Sequence, residues 1–211
     1  MKKIILTVAA VFALTFANAQ DTKEATSGGM GFASGDLYLS GKAGFDSTKS
    51  GDFKQDGWEL SPGLGYMISD NLAIEGRLNI MGSKDPFVDY FQDGDFYEVK
   101  TSGFGIAAGV KYYFTPASQF SLSIGGNISY DSVKDEVSDG FVSADFDKKI
   151  IGFNVPLGLN YFVSNDFALT AEWGGFGYSS NDNGGNGAEK TTGFNLGLDL
   201  SSINIGLLYK L

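Results

Sequence analysis

This chain of 211 residues contains no histidine and no cysteine. Without histidine, a nucleophile–histidine–acid arrangement cannot form, and the side chain that titrates nearest neutral pH is missing. Without cysteine, the chain cannot form disulfides, thiolate metal sites or cysteine nucleophiles, and it cannot be lipidated at a cysteine. We therefore expect no catalytic residue, no cofactor and no metal site, and we interpret the chain as a non-enzyme.

Long apolar runs are also missing. The longest, residues 4–16, is too short to cross a bilayer as a helix, and no later segment has the apolar length of a membrane helix. The run follows Lys2 and Lys3 and precedes small residues, an order typical of a secretory signal. We predict a cleavable signal peptide over residues 1–19, with cleavage before Gln20.

Basic residues are few. Removing Lys2 and Lys3 from the 15 basic residues leaves 13 against 25 acidic ones. This excess of negative charge argues against nucleic acid or an anionic lipid surface as a partner. By contrast, the chain has 30 glycines and 18 phenylalanines. That composition suits strands with large residues on one face and the smallest residues on the other.

After a polar segment at 20–34, which we predict to be a flexible lead-in, apolar and polar residues alternate through one domain at 35–211. Side chains of a strand point alternately to opposite faces, so each alternating segment has one continuous apolar face. The alternation predicts eight strands: 37–45, 58–68, 72–80, 104–114, 120–130, 153–163, 167–174 and 194–211.

The end of the chain carries the clearest alternation. Residues 203–211 place an apolar group at every second position. In a soluble protein such a strand would leave a sticky exposed edge, whereas in a transmembrane barrel it is the closing strand with its apolar face in lipid. The pattern changes phase at Ser201-Ser202, so the segment 193–211 is either one bulged strand or a hairpin.

The connections between these strands alternate in length. Short turns at 69–71, 115–119 and 164–166 alternate with long polar loops, and aromatic residues cluster at both ends of the strands. Short turns on one side, longer loops on the other and two aromatic girdles are the pattern of outer-membrane barrels. A soluble lipocalin-like barrel, with its apolar face turned inward, is the competing fold. The long loops are 47–56, 82–101, 131–149 and 178–192.

On these features the chain resembles the small outer membrane β-barrel family, the eight-stranded group that includes the OmpX, OmpW and OmpA transmembrane-domain types. The resemblance implies an all-β fold: an eight-stranded antiparallel up-and-down transmembrane β-barrel in the outer membrane. It implies a monomer that contacts outer-membrane lipids and engages the barrel-assembly machinery through its C-terminal strand. The implied role is structural or a surface interaction, with a narrow porin-like channel for small solutes or ions as the alternative.

Alternation places six charged side chains on the face turned away from lipid. Because both signs occur together, we expect a paired network that fills an interior only just wide enough for side chains. In the alternative, the same side chains line the channel. The six are Lys42, Glu59, Glu75, Arg77, Lys111 and Glu172.

The long loops carry acidic residues interleaved with aromatic ones. Clustered carboxylates are the ligands that hard divalent cations prefer, but the spacing is not that of an EF-hand. Cation binding and recognition of an unknown surface partner are therefore hypotheses beside plain solvated hairpin extensions. The candidate residues are Asp89, Asp93, Asp95, Asp135, Glu136 and Asp139.

Overall fold

The computed structural model describes residues 29–50, 53–88, 97–138, 143–184, 187–197 and 204–211. The predicted signal peptide lies outside these residues. Within them every regular element is a β-strand, and no helix is long and apolar enough to cross a membrane. The strands are β1 Leu37–Ser50, β2 Phe53–Met67, β3 Leu72–Val88, β4 Tyr97–Tyr113, β5 Phe120–Ser138, β6 Ser143–Phe162, β7 Phe167–Asn181, β8 Thr191–Leu196 and β9 Asn204–Lys210.

The strands form one closed antiparallel barrel. Each of β1 to β6 pairs with the next strand along the chain, and β9 pairs with both β7 and β1. β8 pairs with β7, on the same side of β7 as β9. The closing pairs run from Tyr38 opposite Lys210 to Lys42 opposite Gly206. Because β8 and β9 share one position in the ring, the nine segments make the eight-stranded up-and-down barrel that the sequence predicts.

The last strand is one interrupted strand rather than a hairpin. β8 and β9 both run antiparallel to β7, so they run in the same direction. Leu196 lies opposite Phe176 and Asn204 lies opposite Glu172, so eight positions along the chain correspond to four along β7. The offset between β8 and β9 is thus larger than the one-residue shift that the phase change at Ser201-Ser202 indicates. Residues 198–203 themselves lie outside the described part of the chain.

Several strands are longer than a membrane crossing requires. β4, β5 and β6 have 17, 19 and 20 residues, whereas a tilted transmembrane strand needs about 9–11. Much of the sequence interpreted as the loops 82–101 and 131–149 is therefore paired strand. Its side chains continue to alternate between the inward and outward faces, as in the rest of each strand. We call this upper part of the sheet the strand extension: residues 82–88, 97–103, 131–138 and 143–152.

The apolar face of the barrel points outward. Ile128, near the upper end of the predicted span of β5, is 64% exposed, while its neighbour Asn127 is buried inside. A lipocalin-like barrel would show the reverse, so that alternative is excluded. Other outward side chains include Phe45, Trp58, Tyr66, Ile74, Ile106, Val110, Tyr112, Phe114, Phe120, Leu122, Tyr130, Tyr161, Leu169, Phe194, Ile205, Leu207 and Tyr209.

The lead-in is ordered where it reaches the barrel. Its residues 29–34 fold across the end of the barrel that carries the short turns, which we call the short-turn end. The amide of Phe32 donates a hydrogen bond to the carbonyl of Pro116 (2.8 Å), and its ring is only 2% exposed. An aromatic side chain at the end of the segment predicted to be a flexible lead-in thus packs against the barrel. Residues 20–28 lie outside the described part.

Candidate functional site: the barrel interior

Five of the six predicted interior charges meet near the middle of the barrel. They come from four strands: Lys42 from β1, Glu75 and Arg77 from β3, Lys111 from β4 and Glu172 from β7. Each occupies an inward position of its strand, and the barrel is narrow enough for side chains from opposite walls to touch. We call these five residues the charge cluster.

Glu172 lies at the centre of the charge cluster. Its Oε1 accepts a hydrogen bond from the Lys111 ammonium (2.6 Å), and its Oε2 accepts from the Arg77 guanidinium (3.3 Å) and from the Lys42 ammonium. Lys111 also reaches Glu75, with Nζ 3.0 Å from Oε1. One carboxylate therefore binds three cations, and one of those cations bridges to the second carboxylate.

A layer of apolar and aromatic side chains closes the interior below the charge cluster. The Tyr38 hydroxyl donates to Glu75 Oε1 (2.6 Å) and lies 3.1 Å from the Tyr113 hydroxyl, which connects the two layers. The Phe32 ring packs 4.4 Å from that of Tyr113 and 4.9 Å from that of Phe162, centre to centre. We call this layer the apolar cap: Phe32, Tyr38, Met67, Ala73, Tyr113, Phe162, Ala168 and Leu208.

The lead-in is also held electrostatically beneath the cap. Lys210 in β9 donates to the carbonyl of Gly31 (2.7 Å) and lies 3.3 Å from Asp36 Oδ2. Lys210 is buried, and a buried ammonium without partners would carry a large desolvation cost. The last strand therefore holds the lead-in in place at the short-turn end.

Glu59 does not join the charge cluster. It lies in β2 opposite Met81, whereas Glu75 and Arg77 lie opposite Gly65 and Gly63, farther toward the short-turn end. Among the described residues no cation pairs with Glu59, and its side chain is exposed. Alternation places a residue on a face, but its depth depends on the register of the neighbouring strand.

Above the charge cluster the interior opens into a cavity of about 460 Å³. Lys42 and Arg77 form part of its lining and separate it from the layers below, while Asn79, Asn127 and Asp131 line it farther up. Lys42 and Arg77 keep 17% and 13% of their side-chain surface exposed. The upper half of the barrel is therefore a polar vestibule that ends on two cationic groups.

The acidic loop candidates separate into three groups. Asp89, Asp93, Asp95 and Asp139 lie outside the described residues. Asp135 occupies an inward position of β5, where it accepts a hydrogen bond from Thr101 Oγ1 (2.8 Å) and pairs with Lys148, while Glu136 faces outward.

Asp135 is thus a strand residue of the interior rather than a loop ligand, because β5 continues through the segment interpreted as a loop. In the described part of the chain, no three acidic side chains converge as metal ligands would.

Sequence reasoning did not predict how the short-turn end is closed. Alternation places Tyr38 and Tyr113 on the inward face, but nothing in the sequence marks them as partners of Glu75. Phe32 precedes β1 and belongs to no alternating segment, so no sequence signal predicts its insertion into the barrel.

Comparison with known proteins gives a family and a fold. The sequence model of the outer membrane protein beta-barrel domain matches residues 5–210. Ail, the attachment invasion locus protein of Yersinia pestis, has 15% identity and a TM-score of 0.51, covering 84% of this chain and 99% of its own. The outer membrane protein OprG from Pseudomonas aeruginosa has 19% identity and a TM-score of 0.52, covering 86% and 98%. No curated protein sequence matches.

Proposed function

Because this chain belongs to the outer membrane protein β-barrel domain family, we propose that it is a monomeric, non-enzymatic structural barrel that presents its strand extension at the cell surface. The family is one of outer-membrane barrels, which implies the outer membrane as the location. In such barrels the short turns face the periplasm and the longer connections face outward. The proposal rests mainly on the closure of the barrel interior at two successive depths.

The charge cluster supports a closed barrel. A carboxylate that binds three cations occupies the space a conducting path would need, and the side chains of the cluster are mostly buried. Removing one member would leave a mostly buried charge without one of its partners, so the cluster resists opening.

The apolar cap supports the same conclusion independently. Phe32 enters the barrel from the short-turn end and contacts rings from three strands, so any ion that passed the charge cluster would meet an apolar layer. A hydrated ion would have to shed water there without gaining polar ligands. Two layers of opposite chemistry thus separate the vestibule from the periplasmic side.

The strand extension supports a role at the surface. On its outer face Lys84 pairs with Glu98 (2.7 Å) and Lys134 pairs with Asp145 (2.6 Å), so acidic and basic groups neutralise each other in ladders. Paired charges keep exposed strands soluble and discourage edge-to-edge aggregation. The extension therefore makes a stiff, polar platform beyond the membrane.

We further propose that the outward apolar rows contact outer-membrane lipids and that the barrel-assembly machinery engages β9. Ile205, Leu207 and Tyr209 of β9 face outward and are 69%, 50% and 48% exposed. These side chains and the edge pairing with β1 make β9 the strand that closes the ring.

Conductance in a planar lipid bilayer tests the closed barrel. We expect no steady openings from the wild-type protein, with insertion verified by its heat-dependent shift on a gel. As the positive arm, Phe32→Ala combined with Lys111→Ala removes a side chain from each layer and should raise the frequency of openings. Steady wild-type openings that Arg77→Ala abolishes would overturn the proposal and favour the narrow channel.

Cysteine labelling of intact cells tests the orientation, because the chain has no native cysteine to interfere. We expect Lys134→Cys, on the strand extension, to react with a membrane-impermeant maleimide. The matched variant Asp70→Cys, in the short turn between β2 and β3, should react only after the outer membrane is permeabilised. The reverse pattern would place the extension in the periplasm and overturn the surface role.

A further inference from the structure

The ring of strands closes over a short pairing between its first and last strands. β1 pairs with β2 along its whole length, but with β9 only over Tyr38–Lys42. We call this pairing of β1 with β9 the seam. It ends where Lys42 lies opposite Gly206, although Ile205 and Asn204 continue β9 and still pair with β7. In the described part of the chain, β1 and β9 therefore separate directly beyond Gly206.

Backbone pairing alone makes the seam the weak point of the ring. The number of ladder hydrogen bonds grows with the length of a pairing, and β5 pairs with β6 over a far longer stretch, from Phe120 to Ser138. On the other side of β9, the neighbouring strand β7 also pairs with β8 over Thr191–Leu196. The side chains that span the seam should therefore decide how firmly the barrel stays closed.

One interior ion pair spans the seam at the point where the strands separate. Lys42 of β1 reaches Glu172 of β7, so the pair crosses β9, which lies between these two strands. The residue of β9 beneath this crossing is Gly206. A methyl group added there would lie 3.0 Å from Lys42 Cγ and 2.9 Å from Thr170 Oγ1. The glycine therefore leaves room for the lysine side chain to pass over the closing strand.

A second ion pair spans the seam at the short-turn end. Lys210 of β9 lies opposite Tyr38, and its ammonium group donates to the carbonyl of Gly31 (2.7 Å) and lies 3.3 Å from Asp36 Oδ2. Asp36 directly precedes β1 and also accepts a hydrogen bond from the amide of Ala33 (2.9 Å). Lys210 is only 5% exposed. Separating β9 from β1 would strand a buried charge without its partners, which is costly.

We propose that these two ion pairs are clasps that lock the barrel closed, and that the wall opens first at the seam when they are released. The Lys42–Glu172 clasp lies at one end of the seam and the Lys210–Asp36 clasp at the other. Both must stretch when β1 and β9 part, so each one couples a buried charge to the closed ring. The lock concerns the wall of the barrel and holds whether or not the interior conducts.

Native-state hydrogen exchange of the full chain in detergent micelles, read by mass spectrometry, tests the clasps. In the wild type we expect residues 204–211 to exchange faster than residues 120–130 of β5, because local opening requires less free energy than global unfolding. Lys42→Met and Lys210→Met keep the length of the side chain and remove its charge. Each should speed exchange at 204–211 roughly tenfold or more, because hydrogen bonds to a charged group are lost.

Lys148→Met is the matched control. Lys148 pairs with Asp135 inside the barrel and is 20% exposed, close to the 17% of Lys42, but its ion pair joins β5 to β6 and does not cross the seam. Exchange at 204–211 should therefore stay at the wild-type rate in this variant. Equal acceleration by Lys148→Met, or none by Lys42→Met and Lys210→Met, would overturn the proposal.

A disulfide across the seam gives an independent arm. Leu39 lies opposite Tyr209, and the chain has no native cysteine. Opposite residues of antiparallel strands have Cα atoms about 4.5–5.5 Å apart, within the reach of a disulfide. In protein carrying Leu39→Cys and Tyr209→Cys, oxidation should cancel the acceleration caused by Lys42→Met or Lys210→Met, and reduction should restore it. Acceleration that persists in the oxidised protein would place the opening elsewhere and overturn the proposal.

Discussion

The ring of Phe32, five residues before β1, packs 4.4 Å from the ring of Tyr113 in β4, centre to centre and at 42° between their planes. This contact joins the lead-in to the wall of the barrel, although the two residues are far apart in sequence. The apolar cap is in turn joined to the charge cluster. The Tyr113 hydroxyl lies 3.1 Å from the Tyr38 hydroxyl, which donates a hydrogen bond to Glu75. The stability of the barrel should therefore depend on a residue outside every strand.

Phe32→Ala should lower the free energy of unfolding by about 3–5 kcal/mol, the range for deletion of a buried aromatic side chain. The expected cause is a void among Tyr38, Tyr113 and Phe162 that the rigid wall of the barrel cannot fill by collapsing. Urea unfolding in detergent micelles measures the change. The matched control is Met30→Ala, since Met30 lies in the same segment but is exposed; an equal loss in both variants would contradict the cap.

Glu172→Gln should destabilise the barrel by about 3–5 kcal/mol, because it leaves buried cations without their counter-charge. Lys42, Arg77 and Lys111 would then share Glu75 as their remaining carboxylate in the charge cluster. The same urea titration applies. Glu59→Gln is the control from the predicted network and should change stability by well under 1 kcal/mol, as for an exposed unpaired charge; comparable losses would place Glu59 in the cluster after all.

Arginine substitutions along the outer face of β5 should report the depth of the membrane. Ile124→Arg, near the middle of the predicted span, should cost about 2–4 kcal/mol, and Ser132→Arg, at the start of the strand extension, about 0–1 kcal/mol. Both positions face outward, so the difference measures lipid burial rather than packing. Unfolding from lipid vesicles is the measurement, and equal costs would mean that the extension also lies in lipid.

Glu98 on the strand extension should titrate below its usual range. Hydrogen bonds from the Lys84 and Lys100 ammonium groups hold the pKa of the Glu98 carboxyl below its ordinary value of 4.5. Because the folded pKa is the lower one, the stabilising contribution is fully present above pH 4.5 and is lost as the pH falls through the folded pKa.

Titration of the Glu98 carboxyl carbon by NMR measures the midpoint. Lys84→Gln removes the first hydrogen-bond donor and should return the midpoint toward its ordinary value. The Glu98 side chain keeps 33% of its surface exposed, so solvent screens its ion pairs. The effect on overall stability should therefore be small and should shrink further in salt. An unshifted wild-type midpoint would mean that the pairs with Lys84 and Lys100 do not persist in solution.

The fold could be predicted from local features of the sequence. Alternation in segments such as 120–130 and 153–163 assigned the outward-facing residues correctly, because the two faces of a strand are separated by a strict period of two. Short turns such as 164–166 set the strand order, since they can only join antiparallel neighbours. The amino-acid pattern alone thus determined the architecture and the outward face.

Depth and contact partners depended on the tertiary structure. Glu59 and Glu75 share the inward face, yet only Glu75 reaches the charge cluster, because the register of β2 against β3 sets their depths. The sequence pattern assigned Asp135 to a loop, whereas it lies at an inward position of β5, which is paired with β6 there. Phe32 lies in no periodic segment. Its place in the cap depends on the space among Tyr38, Tyr113 and Phe162, which only the closed barrel creates.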